Sequence, residues 1–214
     1  MLDKTESLGG SEAAAPIRDR NATTTRILKA ASELLAENGF QNLGVNAVAR
    51  RAGCDKQLIY RYFGGMEGLV DAIGTDLAGW VERKMPANGG SGFLLTYGDL
   101  AERFLILLLD ALRSDPLMKK ILAWEVSENS PEVRRLSEAR SKSLVQWLDR
   151  VRGNMQPPKG VDTTAMNAVL IGAVHNLVLM GEVAGRSGTL PLKTDKDWDK
   201  AAQAVRRLVR GVYP

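Results

Sequence analysis

The chain has 214 residues, 44% of them hydrophobic and 25% charged, which is the composition of an ordinary globular protein able to bury a core. A single cysteine, Cys54, excludes an internal disulfide, and with a single histidine, His175, the soft ligands fall short of a structural zinc set, so no metal is expected. The N-terminus lacks a basic stretch followed by an apolar core, and no unbroken run of about eighteen apolar residues occurs. Neither a secretory signal nor a membrane span is therefore expected, and the protein is read as cytoplasmic.

The net charge of +4 is unevenly placed. Residues 17–63 carry eight Lys or Arg against four acids, an excess equal to that of the whole chain. A basic excess concentrated in one short segment is the footprint of a module that binds a polyanion.

In chain order, residues 1–20 mix Gly, Ser, Ala and charge without an apolar period and read as a disordered arm. From Thr23, residues Ile27, Ala30, Ala31, Leu34 and Leu35 follow helical spacing, and Asn38–Gly39 stops that helix. Val45, Val48, Ala49 and Ala52 form a second short helical face ending at Gly53. Asp55 then caps a third helix to about Phe63, closed by Gly64–Gly65. A longer helix is expected over Met66–Lys84. Leu100–Arg113, with its FLILLLDAL run, reads as central. Ser114–Asp115–Pro116 and Ser130–Pro131–Glu132 each start a helix with a proline in the first turn. Asp162 caps a segment to about Gly185, and Thr194 with Asp197 forms a capping box for a last helix ending near Arg210. With no alternating strand pattern and no repeat, the fold is expected to be all-α.

The stretch 45–63, VNAVARRAGCDKQLIYRYF, has the spacing of a helix–turn–helix. Ala49 is small where the second helix must cross closely, Gly53 tolerates positive φ in the turn, and Ile59 is a branched apolar residue for the hub. Together with its neighbours, segment 25–70 resembles the DNA-binding domain of the tetracycline-repressor (TetR) family. The resemblance rests on Gly39–Phe40, on Ala49, Ala52 and Gly53, and on Ile59, Tyr60, Tyr62 and Phe63. It departs from the family at Gly44, where members carry Ser or Thr, at Met66, where many carry Lys, and at Asp55, where Ser is common. An acid so close to DNA needs its charge consumed by the helix N-terminus.

The resemblance implies a three-helix DNA-binding domain over residues 21–65 and a helical ligand-binding and dimerisation domain over 66–214. Within the first, Lys56 and Gln57 are expected at base edges in the major groove, with Leu58 against a thymine methyl. Tyr60, Tyr62 and Arg50, with Arg51 as a further candidate, are expected to hold phosphates. Leu34, Phe40 and Phe63 are expected in the core. For an effector, Trp80, Phe104, Trp124, Trp147, His175 and Asn176 are the inward-facing candidates, joined by Met118, Met166 and Met180. His175 and Asn176 are the polar anchors in an otherwise apolar helix.

The function expected is that of a ligand-responsive repressor. It binds a palindromic operator as a homodimer and is released by a small, largely apolar effector, with no cofactor. Ala168, Ile171, Gly172, His175 and Leu179, with Trp198, Ala202, Val205, Val209 and Val212 of the last helix, are expected at the dimer interface. Gly68, Gly74 and Gly79 weaken the fourth helix and would let ligand shift it. The alternatives are a helical protein-interaction module and a helical-bundle enzyme. The enzyme reading lacks a Gly-rich phosphate loop and any Glu-x-x-His ligand pattern.

Overall fold

The structure is a computed structural model and describes residues 14–90 and 93–213. In chain order it comprises α1 (Ala14–Asn38), a 3-10 turn (Phe40–Asn42), α2 (Val45–Ala52), α3 (Lys56–Phe63) and α4 (Met66–Lys84). These are followed by α5 (Tyr97–Arg113), α6 (Pro116–Ser127), α7 (Pro131–Arg152) and α8 (Thr163–Ala184). A hairpin of β1 (Arg186–Ser187) and β2 (Leu190–Pro191) then leads to α9 (Asp195–Val212). The fold is all-α, as the sequence implies. The hairpin, with Arg186 opposite Pro191 and Ser187 opposite Leu190, is the one strand pairing among the described residues. Two-residue strands are too short to leave an alternating pattern in a sequence.

The chain divides into two compact units, one ending at Ala72 and the other beginning at Ile73, with the boundary inside α4. In the first unit α1 begins at Ala14, so residues 14–20 are helical where the sequence suggested an arm. Ala14 and Ala15 are strong helix formers, and Pro16 falls in the first turn, where its missing N–H needs no partner. Residues 1–13 lie outside the described residues. The core of this unit gathers Ile27 and Leu35 of α1, Val48 of α2, Ile59 of α3 and Leu69 of α4, all fully buried. Phe40 and Phe63 are only half-buried at its edge.

The second unit is organised around α5, which packs against α6, α7, α8 and α9. Leu100, Leu105, Leu108, Leu109 and Leu112 line its buried side, as the apolar run predicts. The helix starts earlier than that run, at a capping box between Thr96 and Asp99. The expected caps at Asp115, Ser130, Asp162 and Thr194 each accept a backbone N–H from the first turn of their helix.

Two polar devices tie helices distant in sequence. Asn167 of α8 donates to the Tyr97 hydroxyl (3.1 Å) and accepts from the Tyr213 hydroxyl (2.9 Å), joining the start of α5 to the end of α9. Burial and the neighbouring Tyr97 and Asp162 push the Tyr213 hydroxyl up to about 12. Between α6 and α7, Glu125 accepts two hydrogen bonds from Arg140 (3.2 and 2.5 Å), with both side chains only 7% exposed.

Helix α8 is long and apolar enough to cross a bilayer by length and composition, with a mean hydropathy of 1.4. Only 17% of that window is buried within the chain. Leu170, Val174 and Val178 face the core, whereas Ala168, Val169, Gly172 and Val183 are exposed.

Candidate functional site

The turn between α2 and α3 is set by Gly53 in the left-handed conformation (φ 61°, ψ 45°). Its N–H and that of Cys54 return to the last turn of α2, the latter bonding the Ala49 carbonyl at 3.0 Å. A Cβ at Gly53 would touch nothing, so the glycine answers a backbone requirement and not a steric one. Asp55 then accepts the Gln57 backbone N–H at 2.7 Å. Its carboxylate is thereby occupied at the N-terminus of α3, where the helix dipole favours an anion. Ala49 and Ile59 are buried in the hub, as their spacing predicts.

With Ile59 fixed inward, α3 presents the exposed side chains of Lys56, Gln57 and Tyr60 outward. Tyr60 is 56% exposed, a large aromatic left in solvent on a basic unit. Leu58 and Tyr62 are half-buried beside them, and Arg50 is exposed on α2. The face carries donors, an amide and two phenols on one eight-residue helix, the set needed to meet both base edges and phosphates.

Two arginines depart from the sequence reading. Arg51 is committed to α1, donating to both Glu37 carboxylate oxygens (3.1 and 2.6 Å) and lying 3.7 Å from Glu33. The hydrogen-bonded Glu37 raises its already high pKa, and the side chain fastens α2 to α1 instead of standing free for a phosphate. Arg20, from the early turns of α1, stacks on the Tyr62 ring at 5.6 Å, with Arg61 at 5.8 Å. The sequence hid this contact because residues 14–20, though they open on helix-forming alanines, carry no apolar period to mark them as part of α1.

The effector candidates of the second unit scatter. Trp80 is buried with its indole N–H on Asp115 (2.8 Å), and Trp147 is buried with its indole N–H on the Pro86 carbonyl (3.1 Å). Phe104 packs against Trp147 with ring centroids 5.7 Å apart. These three are satisfied core residues. Trp124 is half-buried on α6, and Met118 is buried there. Asn176 does not face inward: it is exposed and lies 3.4 Å from the Ser187 hydroxyl of the hairpin. Met180 is 36% exposed on the same outer side. An apolar helix gives no sequence signal for which of its faces is covered, and that is why both were misplaced.

His175 does face the interior. Its Nε2 is buried without a hydrogen-bond partner among the described residues. It follows Asn167 and Ile171 along one stripe of α8, and these two help to line a cavity of about 10 Å³ with Leu100, Phe104 and Leu148. Burial, aided by the Arg140 charge, lowers the His175 pKa from 6.5 to about 4. The folded protein therefore binds one proton fewer than the unfolded chain between pH 4 and 6.5, and stability falls as pH drops through that window. A loss of at most about 3 kcal/mol is expected at the acid end. The capping carboxylates Asp99 and Asp197, held below the usual range by the Thr96 and Thr194 backbone N–H groups, act only at still lower pH. Urea denaturation at pH 7 and pH 4.5 measures the slope, and His175→Leu should flatten it.

Comparison with known proteins agrees with this geometry. The family model described as bacterial regulatory proteins, tetR family, matches residues 27–73, which span α2, α3 and their flanking helices. The HTH-type transcriptional repressor SCO4008 of Streptomyces coelicolor is 27% identical over 203 residues, covering 90% of this chain and 97% of the relative. Among solved structures, a TetR transcriptional regulator from Agrobacterium tumefaciens superposes with a TM-score of 0.60 at 22% identity, over 90% of this chain and 94% of that one. The regulator FadR from Bacillus subtilis, solved in complex with stearoyl-CoA, superposes with a TM-score of 0.64 at 20% identity, over 86% and 96%. The helix–turn–helix match and the fold-wide likeness point the same way: residues 27–73 match the DNA-binding domain of tetR-family bacterial regulatory proteins, and the chain as a whole is similar to transcriptional regulators of that family.

Proposed function

We propose that the protein is a repressor that binds a palindromic operator as a homodimer and leaves it when a small, largely apolar effector enters the helical unit. The observation that carries this reading is the outward face of α3. Lys56, Gln57 and Tyr60 are exposed on a helix whose other side is locked into the hub by Ile59. On this reading Lys56 and Gln57 meet base edges, Leu58 meets a thymine methyl, and Tyr60, Tyr62 and Arg50 meet phosphates.

Two copies are needed to read a palindrome, and α8 supplies a surface for the second. A helix of this apolarity left mostly uncovered calls for a partner. Ala168, Val169, Gly172 and Val183 of α8, with Leu208 of α9, form the exposed apolar set. Trp198, Val205 and Val209, first expected at that interface, are instead buried within their own chain. A protein partner fits better than a bilayer, because α9 carries the exposed Arg207 together with Arg206 and Arg210, which pair with Glu102 of α5.

For the effector, the interior between α5, α7 and α8 is favoured. It is apolar around Phe104, Leu148 and Ile171, and His175, one turn along α8 from Ile171, has a buried nitrogen without a partner among the described residues. With a cavity of only about 10 Å³, a ligand must displace side chains to enter, which couples occupancy to helix position. FadR in complex with stearoyl-CoA is a structural neighbour in which a regulator of this fold carries a ligand with a long acyl chain.

The test is selection of bound fragments from random double-stranded DNA. A palindromic consensus is expected. Gln57→Ala should relax the preference at one position of each half-site by about 1–3 kcal/mol. Tyr60→Phe should weaken all sequences alike by about 1 kcal/mol. No enrichment at low salt would sink the reading.

A further inference from the structure

A second concavity lies between the end of α5, the start of α6, the end of α8 and the start of α9, with a volume of about 390 Å³. Its size falls within the roughly 300–1,000 Å³ of small-molecule sites, and none of the effector candidates above lines it. Its floor is apolar, made of Val178, Leu192 and the Trp198 ring, all nearly fully buried. The ring is seated against Gly181, where a Cβ would come within 2.7 Å of it, so that glycine sets the depth of the floor.

Two cations stand over this floor, each held by an acid more exposed than itself. The Arg113 guanidinium carbon lies over the Trp198 ring, 4.5 Å from its centroid, and the group pairs with Asp195 at 3.2 Å. The side chains are 29% and 98% exposed respectively. Lys119 pairs with Glu182 at 2.6 Å, with exposures of 16% and 57%. Pairs of this kind contribute only about 0–1 kcal/mol, so an incoming anion can replace the solvated acid at little cost. Among the described residues the guanidinium donates a single hydrogen bond, to Asp195, leaving its other N–H groups for a planar acceptor.

The sign and multiplicity of the ligand's charge follow from the rest of the lining. Asp110, Glu182 and the Asp195 paired with Arg113 make three acids against Arg113 and Lys119, so the cleft has no positive field to hold a polyanion, and an anion enters only by displacing an acid. We propose that this cleft is a second ligand site, distinct from the interior of the helical unit, and that it takes a small organic monocarboxylate with a flat apolar body. The carboxylate replaces Asp195 on Arg113, and the body lies against the exposed edges of Val178 and Leu192, beside the Trp198 ring that Arg113 covers. The inference does not depend on the effector reading above, since the two sites share no residue.

Calorimetric titration of the full chain with phenylacetate tests it, with phenylacetamide and inorganic phosphate as comparisons. Saturable binding of phenylacetate alone, with one site per chain, is expected. Arg113→Gln should weaken it at least tenfold, with part of the affinity restored in Arg113→Lys. Asp195→Asn should tighten it severalfold, because the internal competitor is gone. A purely structural Arg113–Asp195 pair would lower thermal stability in Asp195→Asn without tightening binding, and that result overturns the proposal. So do an absence of binding and equal binding of the amide. Binding lost in His175→Leu but kept in Arg113→Gln also overturns it, by moving the ligand to the interior.

Discussion

Gly68→Ala is expected to cost the first unit about 3 kcal/mol or more and to reduce DNA binding with it. Helix α3 ends at Phe63, the chain reverses through Gly64 and Gly65, both at positive φ, and α4 begins at Met66. This tight return places the Phe63 carbonyl oxygen over Gly68, where an added Cβ would sit only 1.8 Å away. A backbone oxygen at the end of the recognition helix cannot swing aside as a side chain can. Either α3 or α4 must move, and the Lys56–Tyr60 face moves with it. Gly79→Ala on the same helix is the control. There the Cβ would meet the tip of the Arg83 side chain at 2.9 Å, which can yield, so a gain of up to ~1 kcal/mol from helix propensity is expected. Urea denaturation of both variants checks the contrast. Equal stabilities would mean that the α3–α4 return is looser than its geometry indicates.

Glu125→Leu should be as damaging in the second unit, by about 3–5 kcal/mol, because it strands the Arg140 guanidinium in the interior between α6 and α7. The double variant Glu125→Leu/Arg140→Met should recover most of that loss, since an apolar pair of similar volume escapes the desolvation penalty of two buried charges. A diagnostic side effect is expected at His175, whose pKa is lowered first by burial and then by Arg140. Removing the guanidinium lifts the second influence, so the stability slope between pH 4 and 6.5 should become shallower in the double variant. Denaturation at several pH values reads both effects together. A double variant no more stable than the single one would show that packing, and not charge, makes the site vulnerable.

These two positions mark where reading along the chain stops. The turn at Gly53, the cap at Asp55 and the capping box at Thr194 and Asp197 were legible, because each is made by residues within four positions of one another. The buried side of α5 was legible because a run as apolar as FLILLLDAL has nowhere else to go. In the DNA-facing unit the inward position of Ile59 fixed the outward ones, since helical geometry leaves no freedom once one face is assigned.

Tertiary structure alone decided the rest. Gly68 reads in the sequence as a weak helix position, and only the return of Phe63 over it turns the missing side chain into a steric necessity. Arg50 and Arg51 are indistinguishable as letters, and the approach of Glu33 and Glu37 from α1 separates them. Asn176 and His175 are adjacent on an apolar helix, yet one is exposed beside the hairpin and the other has its Nε2 buried. Local hydrogen bonds and periodicity fix what a segment becomes and which residues share its face. Which neighbour arrives on that face depends on contacts between residues tens of positions apart, and those the sequence does not order.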